Sequence, residues 1–104
     1  MATATFQRAF VGGRFSLGQT VMTAGVNNKV ADDARFAAFV LRSLRRHANG
    51  DWGDLHAHDK RENELALKHN DRRIFSAYTA GATKIWIITE WDRSATTVLF
   101  PSEY

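Results

Sequence analysis

The sequence contains no cysteine, and this absence excludes disulfide bonds, thiolate zinc sites and cysteine nucleophiles at once. The same absence fits a reducing compartment, and we expect the protein to be cytoplasmic. No apolar run approaches the roughly 18 residues of a membrane-spanning helix, so no membrane partner is expected. Residues Met1 to Gly13 carry only Arg8 as a charge and lack an unbroken apolar core, so we expect no secretory signal.

The composition is that of an ordinary globular protein. The chain has 104 residues, of which 44% are hydrophobic and 24% are charged, and these values exclude wholesale disorder. This length leaves room for one hydrophobic core and not for a second. We expect residues 1–14 to be a flexible lead-in and residues 15–104 to form a single domain.

Acidic residues are scarce in the first half of the chain. Residues 1–50 contain seven Lys or Arg and two Asp, a net charge of +5, whereas residues 51–104 contain seven Lys or Arg and nine Asp or Glu, a net charge of −2. The total of +3 excludes a protein that mimics DNA through surface acidity. A basic half favours contact with nucleic acid or with an acidic protein surface, although an ordinary solvated surface explains the same surplus.

The spacing of apolar residues predicts six elements in the order strand, helix, helix, strand, strand, strand. In the first strand Gly18 marks a bulge or a close approach, and residues 25–31 are interpreted as a connector. The predicted elements are, in chain order, Phe15 to Thr23, Asp32 to His47, Asp59 to His69, Arg73 to Thr79, Lys84 to Trp91 and Thr96 to Phe100. This order predicts a two-layer α+β fold, an antiparallel β-meander with both helices packed on one face.

The first predicted helix carries a row of arginines. Arg35, Arg42 and Arg46 are spaced by seven and four residues, which places them on one helix face, and Arg45 flanks them. Arginine forks suit phosphates and carboxylates, so this face is a candidate site for nucleic acid or for an acidic protein patch. A solvated face, partly paired with acidic side chains, is the alternative.

The segment between the two predicted helices combines acidic, aromatic and histidine residues. Asp51, Trp52 and Asp54 are candidates for contacts with a partner. His56 and His58 are weak candidates for metal ligands beside these aspartates. The pattern His-x-His is common by chance, and a loop in which the tryptophan folds back as an anchor explains the same residues. We therefore assign neither a metal nor a cofactor.

Aromatic residues concentrate in the last three predicted strands. Trp86 and Trp91, with Tyr78 on the neighbouring strand, resemble the aromatic residues of surfaces that stack single-stranded bases, although strands also use such residues in their cores. Core packing is the interpretation that we favour for Trp86, whereas Trp91 precedes a turn and is the better candidate for an exposed partner contact. The basic residues near these aromatics are Arg72, Arg73 and Lys84.

No catalytic motif stands out in the sequence. It has no GxSxG elbow, no Gly-rich phosphate loop and no dinucleotide fingerprint. Glu90 and Asp92 are two carboxylates near a strand end, but Asp92 is expected to form a turn. The residues therefore favour a binding protein over an enzyme.

Several short stretches together point to a family. They are TVMTAGVN at residues 20–27, GDWGDL at 50–55, RIFSAY at 73–78, KIWIITE at 84–90, DRS at 92–94 and TTVLFP at 96–101. In combination they resemble a family of short bacterial proteins, usually labelled plasmid-related or hypothetical, that are found on plasmids, integrated elements and phages. The similarity covers residues 15–104, and Trp91 stands where we expect a small residue in that family. The resemblance implies no catalytic residue. It implies an accessory role in a mobile element or prophage.

The leading hypothesis is a non-enzymatic accessory protein that binds a host or defence-system protein, with a counter-defence role of the anti-CRISPR or anti-restriction type. The expected contact residues are Arg42, Arg45, Arg46, Asp51, Trp52, Asp54 and Trp91. Nucleic-acid binding through the basic helix face is the first alternative, and a metal-dependent hydrolase at the Asp/His loop is the second. A homodimer through a free sheet edge is also compatible with a sheet of about four strands.

Overall fold

The computed structural model describes residues 13–104 and, by their backbone alone, residues 3–5. The elements of these residues are β1 Thr3–Thr5, β2 Gln19–Thr23, α1 Ala24–Asp32, α2 Ala34–Ala48, α3 Ala57–His69, β3 Ile74–Ala80, β4 Thr83–Thr89, β5 Ala95–Leu99 and a 3-10 helix Pro101–Glu103. The predicted α+β fold is therefore confirmed. Among the described residues, no helix combines the length and the apolar character that crossing a membrane requires.

The described strands form one sheet in the order β1-β2-β5-β4-β3. The last three strands make the predicted antiparallel meander, with Ser76 opposite Ile87 and Ile87 opposite Val98. However, β2 pairs in parallel with β5, where Met22 aligns with Val98, so the sheet is mixed and the wholly antiparallel expectation is wrong. The helices carry the chain from the end of β2 back to the start of β3. Such a crossover lets β3 run in the same direction as β2. Because β4 is antiparallel to both β3 and β5, β5 also runs in this direction.

The segment between β2 and α2 is a helix and not the connector that the sequence predicts. Thr23 caps α1, because its Oγ1 accepts a hydrogen bond from the backbone N–H of Val26. Val26 is fully buried, and Val30 packs against the same core. The pair Asn27-Asn28 favours a turn locally, but burial of an apolar face outweighs this weak preference. The described chain thus has three α-helices where two were predicted.

The second helix, α2, follows its predicted pattern. Asp33 separates α1 from α2 and caps the latter, since its carboxylate accepts hydrogen bonds from the N–H groups of Arg35 and Phe36. The predicted apolar stripe is buried at Phe39 and Leu44. The opposite side of α2 is left to solvent.

One face of the sheet lies under the helices. The residues of this face that join α1 and α2 in the main core are Met22, Tyr78, Ile85, Ile87 and Val98. Trp52, Ala66 and Ile74 form a smaller cluster that joins α3 to the same face. Alternation along the strands places Phe75 and Trp86 on the other face, where both are only half-buried. We call this second face the open face.

The glycine at position 18 confirms the predicted close approach. Gly18 has a φ of +62°, and a Cβ at this position would overlap the carbonyl groups of Arg93 and Ser94. The next residue, Gln19, donates its backbone N–H to the Ser94 carbonyl at 2.9 Å. This contact sets the start of β2 against the turn that precedes β5.

The outer edge of β3 is covered. Asn63 of α3 exchanges two hydrogen bonds with the backbone of Phe75, at 2.6 and 3.1 Å. The backbone N–H of Asp54 donates to the carbonyl of Ala77 at 2.8 Å. These contacts cover β3 at Phe75 and Ala77, and a homodimer through a free part of a sheet edge stays a prediction.

Part of the predicted lead-in belongs to the sheet. Residues 1–2 and 6–12 lie outside the described residues, but Thr3–Thr5 form β1 and pair with β2. Arg14 donates its backbone N–H to the Ala48 carbonyl at 2.7 Å and its guanidinium to both carboxylate oxygens of Glu64. Strand pairing and hydrogen bonds thus also involve residues before the predicted boundary at residue 15, and the flexibility of the lead-in stays a prediction.

Candidate functional site

The solvent side of α2 carries three arginines with no carboxylate partner among the described residues. Arg35, Arg42 and Arg45 are exposed, and no guanidinium of the three forms an ion pair or hydrogen bond within residues 13–104. The helix itself contains no Asp or Glu. We call these three residues the arginine surface.

Arg46, the fourth arginine of α2, is used inside the protein. Its Nε lies 2.7 Å from Oδ2 of Asp51 and its Nη2 lies 3.1 Å from Oδ1. Its guanidinium also lies 4.8 Å from the ring centroid of Tyr78. The hydrogen bond to Arg46 lowers the pKa of the Asp51 carboxyl, against a smaller opposing effect of burial. Two predicted contact residues therefore bind each other and join the end of α2 to the following loop.

Trp52 anchors the same loop from within. Its side chain is only 4% exposed, and its Nε1 donates a hydrogen bond to Oε2 of Glu64 at 2.9 Å. The hydrogen bond from Arg14 is the larger cause of the lowered pKa of Glu64, and the bond from Trp52 adds to it. Asp54, by contrast, is exposed. Trp52 thus positions the loop, while Asp54 is available to a partner.

The two histidines after this loop do not gather a metal site. His56 is the N-cap residue of α3 and His58 lies in its first turn, and both are exposed. Throughout the described residues, no three His, Asp or Glu side chains converge in a way that could hold a metal ion. Asp51 is already held by Arg46. The observed geometry therefore adds nothing to the weak metal signal of the sequence.

A third histidine forms a buried polar network that the sequence did not reveal. The Nδ1 of His47 is hydrogen-bonded to Oγ of Ser76, and its Nε2 lies 2.8 Å from Oγ1 of Thr89. Thr89 is in turn bonded to Thr96, which donates to the Leu17 carbonyl at 2.7 Å. Burial of the ring lowers the pKa of His47 to about 3. Serine and histidine are the residue types of a nucleophile and its base, but this pair is closed to solvent and holds α2 on the sheet.

Two shallow grooves adjoin the arginine surface and share Lys29 and Thr83. The first has a volume of about 240 Å³ and is lined by residues of α2, including Arg35 and Arg42, and by the β3–β4 turn. The second has a volume of about 490 Å³ and continues past Lys84 to the 3-10 helix. The acidic side chain that lines these grooves is Asp33, which already caps α2. The pair of grooves is therefore a predominantly basic path that leads from α2 to the sheet.

Aromatic side chains cluster on the open face. The ring of Trp86 packs edge-on against Phe75 and Tyr104, with centroids 5.1 and 5.6 Å away. The guanidinium of Arg73 lies 5.4 Å from the Tyr104 centroid, and Tyr104 is 67% exposed. Trp86 is thus not the core residue that we expected, and Tyr78 lies buried on the opposite face. In the hairpin register Phe75 lies opposite Ile88, two residues from Trp86 on the same face, so the position of the β3–β4 turn could have revealed this cluster from the sequence.

Trp91 lies in the turn between β4 and β5 and is 62% exposed. The turn is held by Arg93, whose φ is 61° and whose guanidinium donates to the carbonyls of Arg72 and Ala66 at 2.7 and 3.1 Å. Because Arg93 supplies these contacts, the turn does not depend on the Trp91 ring. The partner contact predicted for Trp91 stays a prediction.

Comparison of the chain with protein-family models, with curated proteins and with solved structures finds no match. The resemblance to plasmid-related bacterial proteins therefore stays a prediction. Many residues of the stretches that carry it hold the fold together: Trp52, Ser76, Thr89, Arg93 and Thr96. These motifs thus contain residues that stabilise the fold.

Proposed function

We propose that the protein is a non-enzymatic accessory protein that binds an acidic macromolecule through the arginine surface of α2. The observation that supports this proposal is the contrast between arginines. Arg35, Arg42 and Arg45 are exposed and have no carboxylate partner in residues 13–104, whereas Arg14 and Arg46 are each held by a carboxylate. The three exposed guanidinium groups can therefore donate hydrogen bonds to an acidic partner.

The geometry of the surface suits an extended acidic partner. At a rise of about 1.5 Å per residue, Arg35 and Arg42 are about 10 Å apart along the helix axis, and Arg45 lies about 4 to 5 Å further on. Guanidinium forks donate two parallel hydrogen bonds to a carboxylate or a phosphate. Clustered charges of one sign also raise the rate of encounter with an oppositely charged partner. Three forks along one face can therefore engage successive anionic groups.

The family resemblance adds the biological setting of this proposal. In that setting the protein serves a plasmid, integrated element or prophage and acts against a host defence system. The partner is then a host or defence-system protein with an acidic surface, or a nucleic acid. Either partner supplies the negative charges that α2 itself lacks.

Affinity capture from a bacterial lysate tests the proposal. We expect the immobilised protein to retain a specific partner at low salt and to release it as salt rises toward about 1 M, where screening acts within about 3 Å. A variant in which all three arginines of the surface are replaced by Gln should lose the partner.

The matched control is a triple Gln variant of α3. Lys60, Arg61 and Lys68 are exposed residues of α3, so their replacement removes the same charge from another helix. This control should capture the partner as the unmodified protein does. Equal capture by the α2 variant and the unmodified protein would refute the proposal.

A further inference from the structure

The basic path from α2 reaches the open face at Lys84. This residue lines the second groove, and alternation along β4 places it on the same face as Trp86, two residues later. The first groove shares Lys29 with the second and is lined by Arg35 and Arg42. Cationic side chains therefore follow one another from the arginine surface to the aromatic cluster.

The aromatic cluster offers a flat ring to solvent. Tyr104 is 67% exposed, although an exposed aromatic ring gains little from packing within its own protein. The Tyr104 ring contacts the guanidinium of Arg73 and, edge-on, the ring of Trp86. A planar ring beside a planar cation is an arrangement on which an unpaired base stacks.

The charge along this route favours a polyanion. The acidic side chains near it are Asp33, Glu90 and Glu103. The carboxylate of Glu103 is occupied inside the protein, because it accepts hydrogen bonds from the Thr23 hydroxyl and from two backbone N–H groups. Asp33 is engaged with the N–H groups at the start of α2 and with Lys29, at 3.9 Å. Glu90 follows β4 at the end opposite Lys84. The cations of the route are Lys29, Arg35, Arg42, Arg73 and Lys84.

We infer that the two grooves and the aromatic cluster together bind a single-stranded nucleic acid, with phosphates along the cations and bases stacked at Tyr104 and Trp86. This inference rests on the proposed function, because it names the acidic macromolecule that the arginine surface binds. A duplex would satisfy the cations alone, since its bases are stacked on one another and do not reach the tyrosine ring. An acidic protein surface would likewise leave the aromatic cluster without a role.

The test is fluorescence anisotropy with labelled oligothymidylate of about 12 nucleotides and with a duplex of the same length. We expect the single strand to bind more tightly than the duplex. Tyr104→Ala should weaken binding of the single strand about tenfold, the usual loss for one stacked base. Tyr104→Phe keeps the ring and should bind within about twofold of the unmodified protein.

Salt dependence separates stacking from charge. The double variant Arg35→Gln/Arg42→Gln should reduce the slope of log affinity against log salt by about 1.4, because each cation contributes about 0.7 on a single strand. Tyr104→Ala removes no charge and should leave this slope unchanged. Replacing Lys60 and Arg61 of α3 by Gln is the matched control. It should change both the slope and the affinity less than the double variant Arg35→Gln/Arg42→Gln does.

Two outcomes would overturn the inference. Equal affinity for duplex and single strand, together with no effect of Tyr104→Ala, would show that phosphates alone are bound. Failure of oligothymidylate to bind at low salt, while the lysate yields an arginine-dependent protein partner, would also overturn it. In both cases the proposed function would stand. Loss of all arginine-dependent capture would instead refute the proposed function itself.

Discussion

The buried histidine of α2 makes stability depend on pH in a defined direction. His47 has no exposed surface and is surrounded by the hydroxyls of Ser76 and Thr89 and by the rings of Phe15 and Trp52. Burial lowers its pKa to about 3 from the ordinary value of 6.5. Below pH 6.5 the His47 ring therefore binds a proton in the unfolded chain, whereas it stays neutral in the folded protein. The contribution of His47 to the free energy of unfolding is therefore fully present above about pH 6.5 and is lost progressively as the pH decreases toward 3.

The size of the effect follows from linkage. Each pH unit below 6.5 costs about 1.4 kcal/mol, until the folded protein itself takes up the proton near pH 3. At pH 5 the free energy of unfolding should therefore be about 2 kcal/mol lower than at pH 7.5 because of this group. The carboxyl groups of Asp51 and Glu64, whose pKa values are lowered, contribute mainly at still lower pH.

Urea denaturation between about pH 7.5 and 5 measures this loss. His47→Gln should be less stable at neutral pH, since it disturbs a packed site, but should lose much less stability on acidification. The exposed histidines serve as the control, and His56→Gln/His58→Gln should retain the full pH dependence. A flat stability profile of the unmodified protein over this range would refute the reasoning. So would an equal loss in the His47 variant.

Two further predictions concern contacts that join distant parts of the chain. Gly18→Ala should lower the free energy of unfolding by more than about 3 kcal/mol, because a Cβ at this φ of +62° would overlap the Ser94 carbonyl. The control is Gly81→Ala, where the φ is +60° but the Cβ would face open space. This variant should lose only about 1 kcal/mol in the same urea denaturation assay. Glu103→Ala should lower the free energy of unfolding by about 1 to 3 kcal/mol, because its carboxylate accepts the Thr23 hydroxyl at 2.6 Å and two backbone N–H groups. An unchanged urea midpoint in the Glu103 variant would contradict this role.

Much of the fold followed from local patterns. The capped and strongly amphipathic sequence of α2 predicts a helix, and the structure shows one with Asp33 as its cap. The three final strands alternate as predicted and form the meander. In contrast, the sequence does not predict α1, because Asn27 and Asn28 weaken its local helix preference and its burial against the core outweighs that preference. The parallel pairing of β2 with β5 joins residues more than seventy positions apart, so no local pattern indicates it.

Part of the candidate site could likewise be predicted from the sequence, and part depends on the tertiary structure. A helical repeat alone places Arg35, Arg42 and Arg46 on one side of α2, so the basic face was available from the sequence. Which arginines remain unpaired depends on loops that fold back from elsewhere: Asp51 engages Arg46 but leaves Arg42 without a partner. The alternation of a strand shows which residues share a face, but it does not show which face the helices cover. Packing of the helices resolves that choice, and for this reason Trp86 lies on the open face while Tyr78 is buried in the core.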